Sequence, residues 1–255
     1  MKESNLEYIS KFENLDYEQF KQLALDPNLL PHEKVGFPDS YRGGKEPLIW
    51  QDIQNKMSNL ALAEQIILDI GPGCSELPHF LLDLAKKKKS KVILCDSKEM
   101  LSQLPDEQYI SKIEGPFPGC RQKLGTYTGK VNTIIVYSVL HYVFGEDNVW
   151  HFIECCLELL AEGGQILFGD LPNYSKRTRF FNSIAGKKAH LEYIAKNNTN
   201  ADPMKNQPPN SIFDDSLILS LVKRIRDKGF NAYILPQPDH LPMGNRREDI
   251  LVERT

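Results

Sequence analysis

The spacing of apolar and polar positions divides the chain into three zones. Residues 1–62 carry helical stripes on a polar background and read as a helical N-terminal cap. Asp16 stands where a helix cap belongs, ahead of Phe20, Leu23 and Ala24, and Ile49, Ile53, Met57 and Leu60 recur at helical spacing. Between these two stripes, Pro31 to Pro47 is rich in breakers and reads as a loop. From residue 63 the pattern changes to short continuous apolar runs. Ile66-Ile67-Leu68-Asp69-Ile70 has the length and the β-branched character of a strand covered on both faces. It leads into Gly71-Pro72-Gly73-Cys74-Ser75, where two glycines one residue apart let the backbone turn tightly. A helix is predicted over 75–87, which aims its first amides at that turn, and Lys91 to Asp96 reads as a second strand. The run Lys86 to Lys89 then falls at a helix C-terminus, where cations complement the dipole. Residues 174–211 form the third zone, a polar insertion ending in the Asn- and Pro-rich stretch Asn197 to Asn210, which reads as mobile. Apolar runs resume near Ile212, with last strands expected at Asn231 to Leu235 and Asp249 to Glu253.

The glycine turn narrows the chemistry. A dinucleotide fingerprint asks for a third glycine at position 76, and Glu76 stands there instead, which argues against a pyrophosphate on that helix start. What the segment has is Asp69 at the strand end, the Gly71 to Gly73 pair, and a second strand closed by Asp96. That acid lies 23 residues after Gly73, close to the roughly 20-residue separation at which an acid meets ribose hydroxyls.

These residues resemble the first two motifs of class I S-adenosylmethionine-dependent methyltransferases: a hydrophobic run with D-x-G-x-G, here Leu68 to Gly73, then a strand ending in an acid, Leu94-Cys95-Asp96. Two later stretches are similar to the family's fourth strand with its following turn (Thr133 to Val143) and to its glycine turn and fifth strand (Leu160 to Phe168). The ordered matches span 64–173. The resemblance implies an α/β, Rossmann-like fold: a seven-stranded mixed sheet of order 3-2-1-4-5-7-6, helices on both faces, and the 174–211 insertion as a lid on a core of 63–255.

It also implies roles. Asp69, Gly71, Pro72 and Gly73 would lie under the methionine part of the cofactor, S-adenosyl-L-methionine. Asp96, with Ser97 beside it, would hold the ribose, and Gly115, Pro116 and Phe117, after a third strand Tyr109 to Glu114, would meet the adenine. No Asp follows Gly115 to accept the adenine amino proton, which departs from the family pattern. Ser138 and Val139 would face the transferred methyl. His141, with an ordinary pKa of about 6.5 suited to proton transfer near neutrality, is a candidate base; Asp170 and Tyr174 at the fifth strand's end are the others. Tyr41 and Arg42, in the loop between the two predicted helices, are placed either to close over the cofactor or to form an ordinary surface turn.

Composition adds limits. Lys plus Arg total 31 against 34 Asp plus Glu, so no basic field argues for a nucleic-acid partner. The five cysteines show neither paired nor metal-ligand spacing, so no disulfide framework and no metal are expected. The apolar runs are strand-sized and the start lacks signal-peptide character, giving an expected cytoplasmic location without a membrane segment. The insertion leaves from the carboxyl end of a strand, where open α/β sheets bind ligands. Its cations Arg177, Arg179, Lys187, Lys188 and His190, with Arg246 before the last strand, suit either a solvated surface or a small anionic acceptor. Gly36 to Arg42 and Asn245 to Leu251 are similar to methyltransferases of bacterial surface-sugar biosynthesis, which implies a sugar, sugar nucleotide or acidic metabolite. Methylation of a protein or RNA, and a non-catalytic cofactor-binding regulator, remain alternatives. The oligomeric state is open.

Overall fold

The computed structural model describes residues 8, 11–12, 15–146, 148–197 and 213–255. Asp16 and Gln19 close a capping box on α1 (Tyr17–Leu25), each side chain accepting the other's backbone N–H. The stretch expected as a loop is instead largely helical turns: α2 (Pro31–Lys34), α3 (Asp39–Arg42) and the start of α4 (Glu46–Lys56). Pro31 and Pro47 sit in first turns, where a missing N–H leaves no bond unmade, and Glu33 Oε2 accepts the Leu30 N–H at 2.7 Å.

There follow β1 (Ile66–Ile70), α5 (Leu77–Lys88), β2 (Lys91–Asp96), α6 (Lys98–Leu101), β3 (Ile110–Glu114), β4 (Val131–Tyr137), α7 (Leu140–Glu146), α8 (Val149–Leu159) and β5 (Leu160–Pro172). The chain continues with α9 (Tyr174–Asn182), α10 (Ile184–Asn197), α11 (Asp215–Asp227), β6 (Asn231–Pro236) and β7 (Arg247–Glu253). Residues 198–212, which include most of the Asn- and Pro-rich stretch and the expected resumption at Ile212, lie outside the described residues.

All seven strands form one sheet of order β3-β2-β1-β4-β5-β7-β6, as the resemblance implied. The five strands from β3 to β5 are parallel, and β7 runs antiparallel to both neighbours. The alternation of side chains across β1 feeds two cores. Leu68 and Ile70 enter one, with β4, β5 and α8; Ile67 enters the other. The stripe Ile49, Ile53, Met57 and Leu60 packs into that second core, so the cap is tied to the sheet. Burying each such side chain is worth roughly 1.5–3 kcal/mol. Strand order reverses between β1 and β4, and this switch point opens a crevice at the strands' carboxyl ends.

Candidate functional site

At that crevice the structure has a cavity of about 390 Å³, within the size range of small-molecule sites. The glycine turn forms its floor. Gly71 has φ +70°, and a Cβ there would lie 2.5 Å from Val139 Cγ2, so only glycine lets the turn approach the end of β4. Gly73 is likewise left-handed and abuts Val35 of the cap.

Two carboxylates stand over the turn. Asp69, 7% exposed, is pushed up to about 8 by burial and by the neighbouring charge of Asp96. Asp96 is pushed up to about 6 by burial, partly offset by N–H donors: Gly73 to Oδ2 at 2.9 Å and Ser97 to Oδ1 at 2.6 Å. Near neutrality the pair therefore carries one buried charge, on Asp96, while Asp69 holds its proton for want of a compensating cation. Ser97 does not line the cavity; it orients Asp96 and caps α6 through its own oxygen, which accepts the Met100 N–H. Gly115, Pro116 and Phe117 line the same wall, with Phe117 edge-on to Phe152 at 4.9 Å between centroids.

Ser138 and Val139 line the wall opposite. Ser138 follows β4 and Asp170 interrupts the β5–β7 register, and each holds φ +59°. Such left-handed non-glycine residues cost of order 1–3 kcal/mol each and mark ligand sites. Ser138 Oγ donates to Asp170 Oδ2 at 2.6 Å, so its lone pairs are left for the cavity. Behind it lies a buried polar chain. The Asp170 N–H donates to Asp249 Oδ1 (2.8 Å), Asp249 accepts from Lys56 Nζ (2.6 Å) and Gln237 Nε2 (3.0 Å), and Arg247 donates to the Asp170 carbonyl (3.2 Å).

Thus the structure gathers Asp69, Gly71, Pro72, Gly73, Asp96, Gly115, Pro116, Phe117, Ser138, Val139 and Arg42 around one cavity. Asp170 stands one hydroxyl behind its wall. His141 is not on the wall: it stacks on Tyr142 at 4.2 Å, and burial with the nearby Arg247 charge pushes it down to about 3, so it is neutral and weakly basic. Tyr174 and Tyr41 also lie off the wall. The lid cations go elsewhere. Arg177, Arg246 and His190 gather around the ring of Phe181 at 5.7, 5.6 and 6.2 Å, and Arg179 pairs with Asp215.

Missing from the sequence reading were the cap residues Tyr17, Phe20, Val35, Phe37 and Trp50, which wall the cavity from above. Arg42 is the cap's charged contribution. It is 5% exposed, lies over Phe37 at 4.5 Å and pairs through Nε with Glu46 at 3.0 Å. Neither Nε nor the Glu46 oxygens reach good hydrogen-bond geometry with any described residue, leaving a buried pair that is incompletely satisfied. Among the described residues no cluster of three or more His, Cys, Asp or Glu is placed to hold a metal ion, and no helix is long and apolar enough to cross a membrane.

Neither a family model nor a curated protein sequence matches the chain. Solved structures do. A SAM-dependent methyltransferase from Aquifex aeolicus superposes with a TM-score of 0.54 at 13% identity, over 95% of this chain and 100% of that one. The plantazolicin methyltransferase BpumL, solved with a triazolic desmethyl analogue and SAH, gives 0.55 at 14%, over 94% and 100%. A candidate methyltransferase from Methanococcus maripaludis gives 0.52 at 18%, over 94% of both chains. At these identities the likeness is one of architecture: the chain has the class I methyltransferase fold.

Proposed function

We propose that this chain is an S-adenosylmethionine-dependent methyltransferase acting on a hydroxyl or amine of a small molecule. The observation that carries the reading is the pair of buried acids, Asp69 and Asp96, raised to about 8 and about 6 beside a glycine turn. Two buried carboxyls with no cation beside them resist ionising together, so Asp69 keeps its proton in the empty site, and a ligand bearing a sulfonium and an ammonium supplies what they lack.

The lining fits such a ligand in detail. Asp96, oriented by two backbone N–H groups, would take ribose hydroxyls. Asp69 and the Gly71–Gly73 turn would face the ammonium, and the N–H groups of Arg42 suit the carboxylate. Pro116 and Phe117 offer an apolar edge for the base. When bound, the sulfonium supplies an electrophilic methyl group. What remains for the chain is to orient the acceptor, and near-attack positioning of this kind is worth roughly 7–11 kcal/mol. Ser138 is the wall group best suited to receive the acceptor's O–H or N–H, because its own proton is committed to Asp170.

Acceptor class is inferred from the cavity. Its aromatic rim, Phe20, Phe37, Trp50 and Tyr142, suits a small molecule with an apolar or planar part. What favours a sugar or acidic metabolite is the resemblance carried by Gly36 to Arg42 and Asn245 to Leu251, Arg42 itself being given to the cofactor carboxylate. A macromolecular acceptor asks for one exposed basic stripe. Of the four cations such a stripe would need, Lys187 and Lys188 are exposed, whereas Arg177 lies over Tyr174 and Phe181 and Arg179 pairs with Asp215. The test is titration with S-adenosylhomocysteine, then incubation with methyl-labelled S-adenosylmethionine and cell extract. Label in the low-mass fraction is expected. Binding with no transfer to any fraction would favour a non-catalytic regulator, and absence of binding would overturn the proposal.

A further inference from the structure

A pair of cysteines, one of them on the wall, puts a second chemistry at the same cavity. Cys95, next to last in β2, lines it beside Asp96. Cys120 closes the turn that begins at Gly115, its N–H donating to the Pro116 carbonyl at 3.0 Å. Both are buried free thiols, 1% and 7% exposed, and their sulfurs are 3.0 Å apart. A buried cysteine by itself is ordinarily a small apolar filler. Two whose sulfurs touch, one of them on a ligand cavity, make a dithiol. Either sulfur can donate the hydrogen bond between them. Cys120 is the less buried of the two and the more open to a peroxide, and the bond draws its thiol below the ordinary range, so Cys120 is taken as the attacking sulfur.

We propose that Cys95 and Cys120 form an oxidative modification site: a dithiol that a hydroperoxide converts to a disulfide, weakening ligand binding in the adjoining cavity. With hydrogen peroxide, the Cys120 thiolate attacks one oxygen and the O–O bond breaks, giving a sulfenic acid and hydroxide. The Cys95 sulfur then attacks the Cys120 sulfur; the S–S bond forms, the S–O bond breaks, and the departing hydroxide leaves as water with the Cys95 proton. Two thiols lose two electrons, and one peroxide becomes two waters.

Closing the sulfurs from 3.0 Å to the about 2.05 Å of a disulfide shifts the end of β2 against the 115–120 turn. These two segments supply Cys95, Asp96, Gly115, Pro116 and Phe117 to the wall. Coupling between sites is reciprocal, so a disulfide that weakens the ligand is itself opposed by the bound ligand. That consequence rests on the cofactor reading above; the dithiol does not.

The test treats the full chain with hydrogen peroxide, maps crosslinked peptides by mass spectrometry and titrates S-adenosylhomocysteine before and after. A Cys95–Cys120 crosslink is expected, with affinity lower by about tenfold or more, restored by dithiothreitol, and with slower crosslinking when the ligand is saturating. Cys120→Ser should bind as the reduced wild type does and keep its affinity through peroxide. Absence of the crosslink, a crosslink without loss of affinity, or equal loss in Cys120→Ser would overturn the proposal. If the reduced wild type does not bind the ligand at all, the cofactor reading fails, and the crosslink alone then decides the dithiol.

Discussion

Cofactor affinity should depend on pH if Asp69 faces the ammonium as proposed. Its carboxyl sits at about 8 in the ligand-free protein, so at pH 7 about ten molecules are protonated for each ionised one. A ligand that brings an ammonium against it favours the ionised form, and binding must then expel the proton. Affinity scales as the ionised fraction, which rises roughly fifty-fold from pH 6 to pH 8, or about 2.3 kcal/mol at 1.36 kcal/mol per decade. Asp96, at about 6, adds a factor of about two at the acid end. The assay is isothermal titration of S-adenosylhomocysteine in buffers of differing ionisation heat, which counts protons released. Close to one should leave at pH 7. Asp69→Asn should remove the dependence, and 5′-methylthioadenosine, which lacks the ammonium, should bind the wild type with little pH dependence. A flat affinity from pH 6 to 8 with no proton release, or the same dependence in Asp69→Asn, would refute the reasoning.

The same acid bears on stability with opposite sign. Between its ordinary 3.8 and about 8, the native state holds a proton that the unfolded chain has released, so the empty protein loses stability as pH rises through that window. Asp69→Asn should therefore melt higher than the wild type by a wider margin at pH 8 than at pH 5, measured by thermal unfolding. Arg42→Met should weaken S-adenosylhomocysteine by roughly 10- to 100-fold, the worth of a charge-assisted hydrogen bond, and leave 5′-methylthioadenosine unchanged; equal loss for both would show that Arg42 only supports the fold. Gly71→Ala places a methyl 2.5 Å from Val139 Cγ2 at φ +70° and should cost about 1–3 kcal/mol in denaturant melts, along with ligand binding. Ser138 sits at φ +59°, so Ser138→Gly should be more stable than Ser138→Ala by about 1 kcal/mol, while both lose the hydroxyl and any turnover that depends on it.

The parts of the site that sequence alone exposes are those whose cause is local. A left-handed turn demands glycine, and Gly71 and Gly73 both hold positive φ; an acid closing β2 is visible from its spacing. The Ser138–Asp170 bond joins residues 32 apart, yet it follows from strand order once that is known. β4 and β5 pair in parallel with Tyr137 opposite Gly169, so the next residue of each strand must be a neighbour of the other. The breaker-rich stretch was the harder case. Prolines and glycines mark the limits of long helices, but they are compatible with the single turns α2 and α3: Pro31 sits in the first turn of α2 and Pro38 at the N-cap of α3, where a missing N–H leaves no helical bond unmade. Phe20 reads only as one position of a helical stripe, which records that a face is buried without recording against what, and Tyr17 and Phe37 stand in no apolar pattern that would mark them.

Charge was the least transferable signal. Counting cations in the insertion leaves a solvated surface and an anion site both open, because a cation's availability depends on what it touches after folding. Arg177, Arg246 and His190 converge on Phe181, and Arg179 is taken by Asp215. Arg42, in a stretch expected to be loop, is 5% exposed and stands on the cavity wall with its Nε and the Glu46 oxygens incompletely hydrogen-bonded. A desolvated cation of that kind interacts far more strongly with a ligand carboxylate than several solvated ones. On the proposed reading the cap would contribute to recognition directly, with Asp69 and Asp96 at one side of the cavity and Arg42 in the cap facing a ligand that carries both signs.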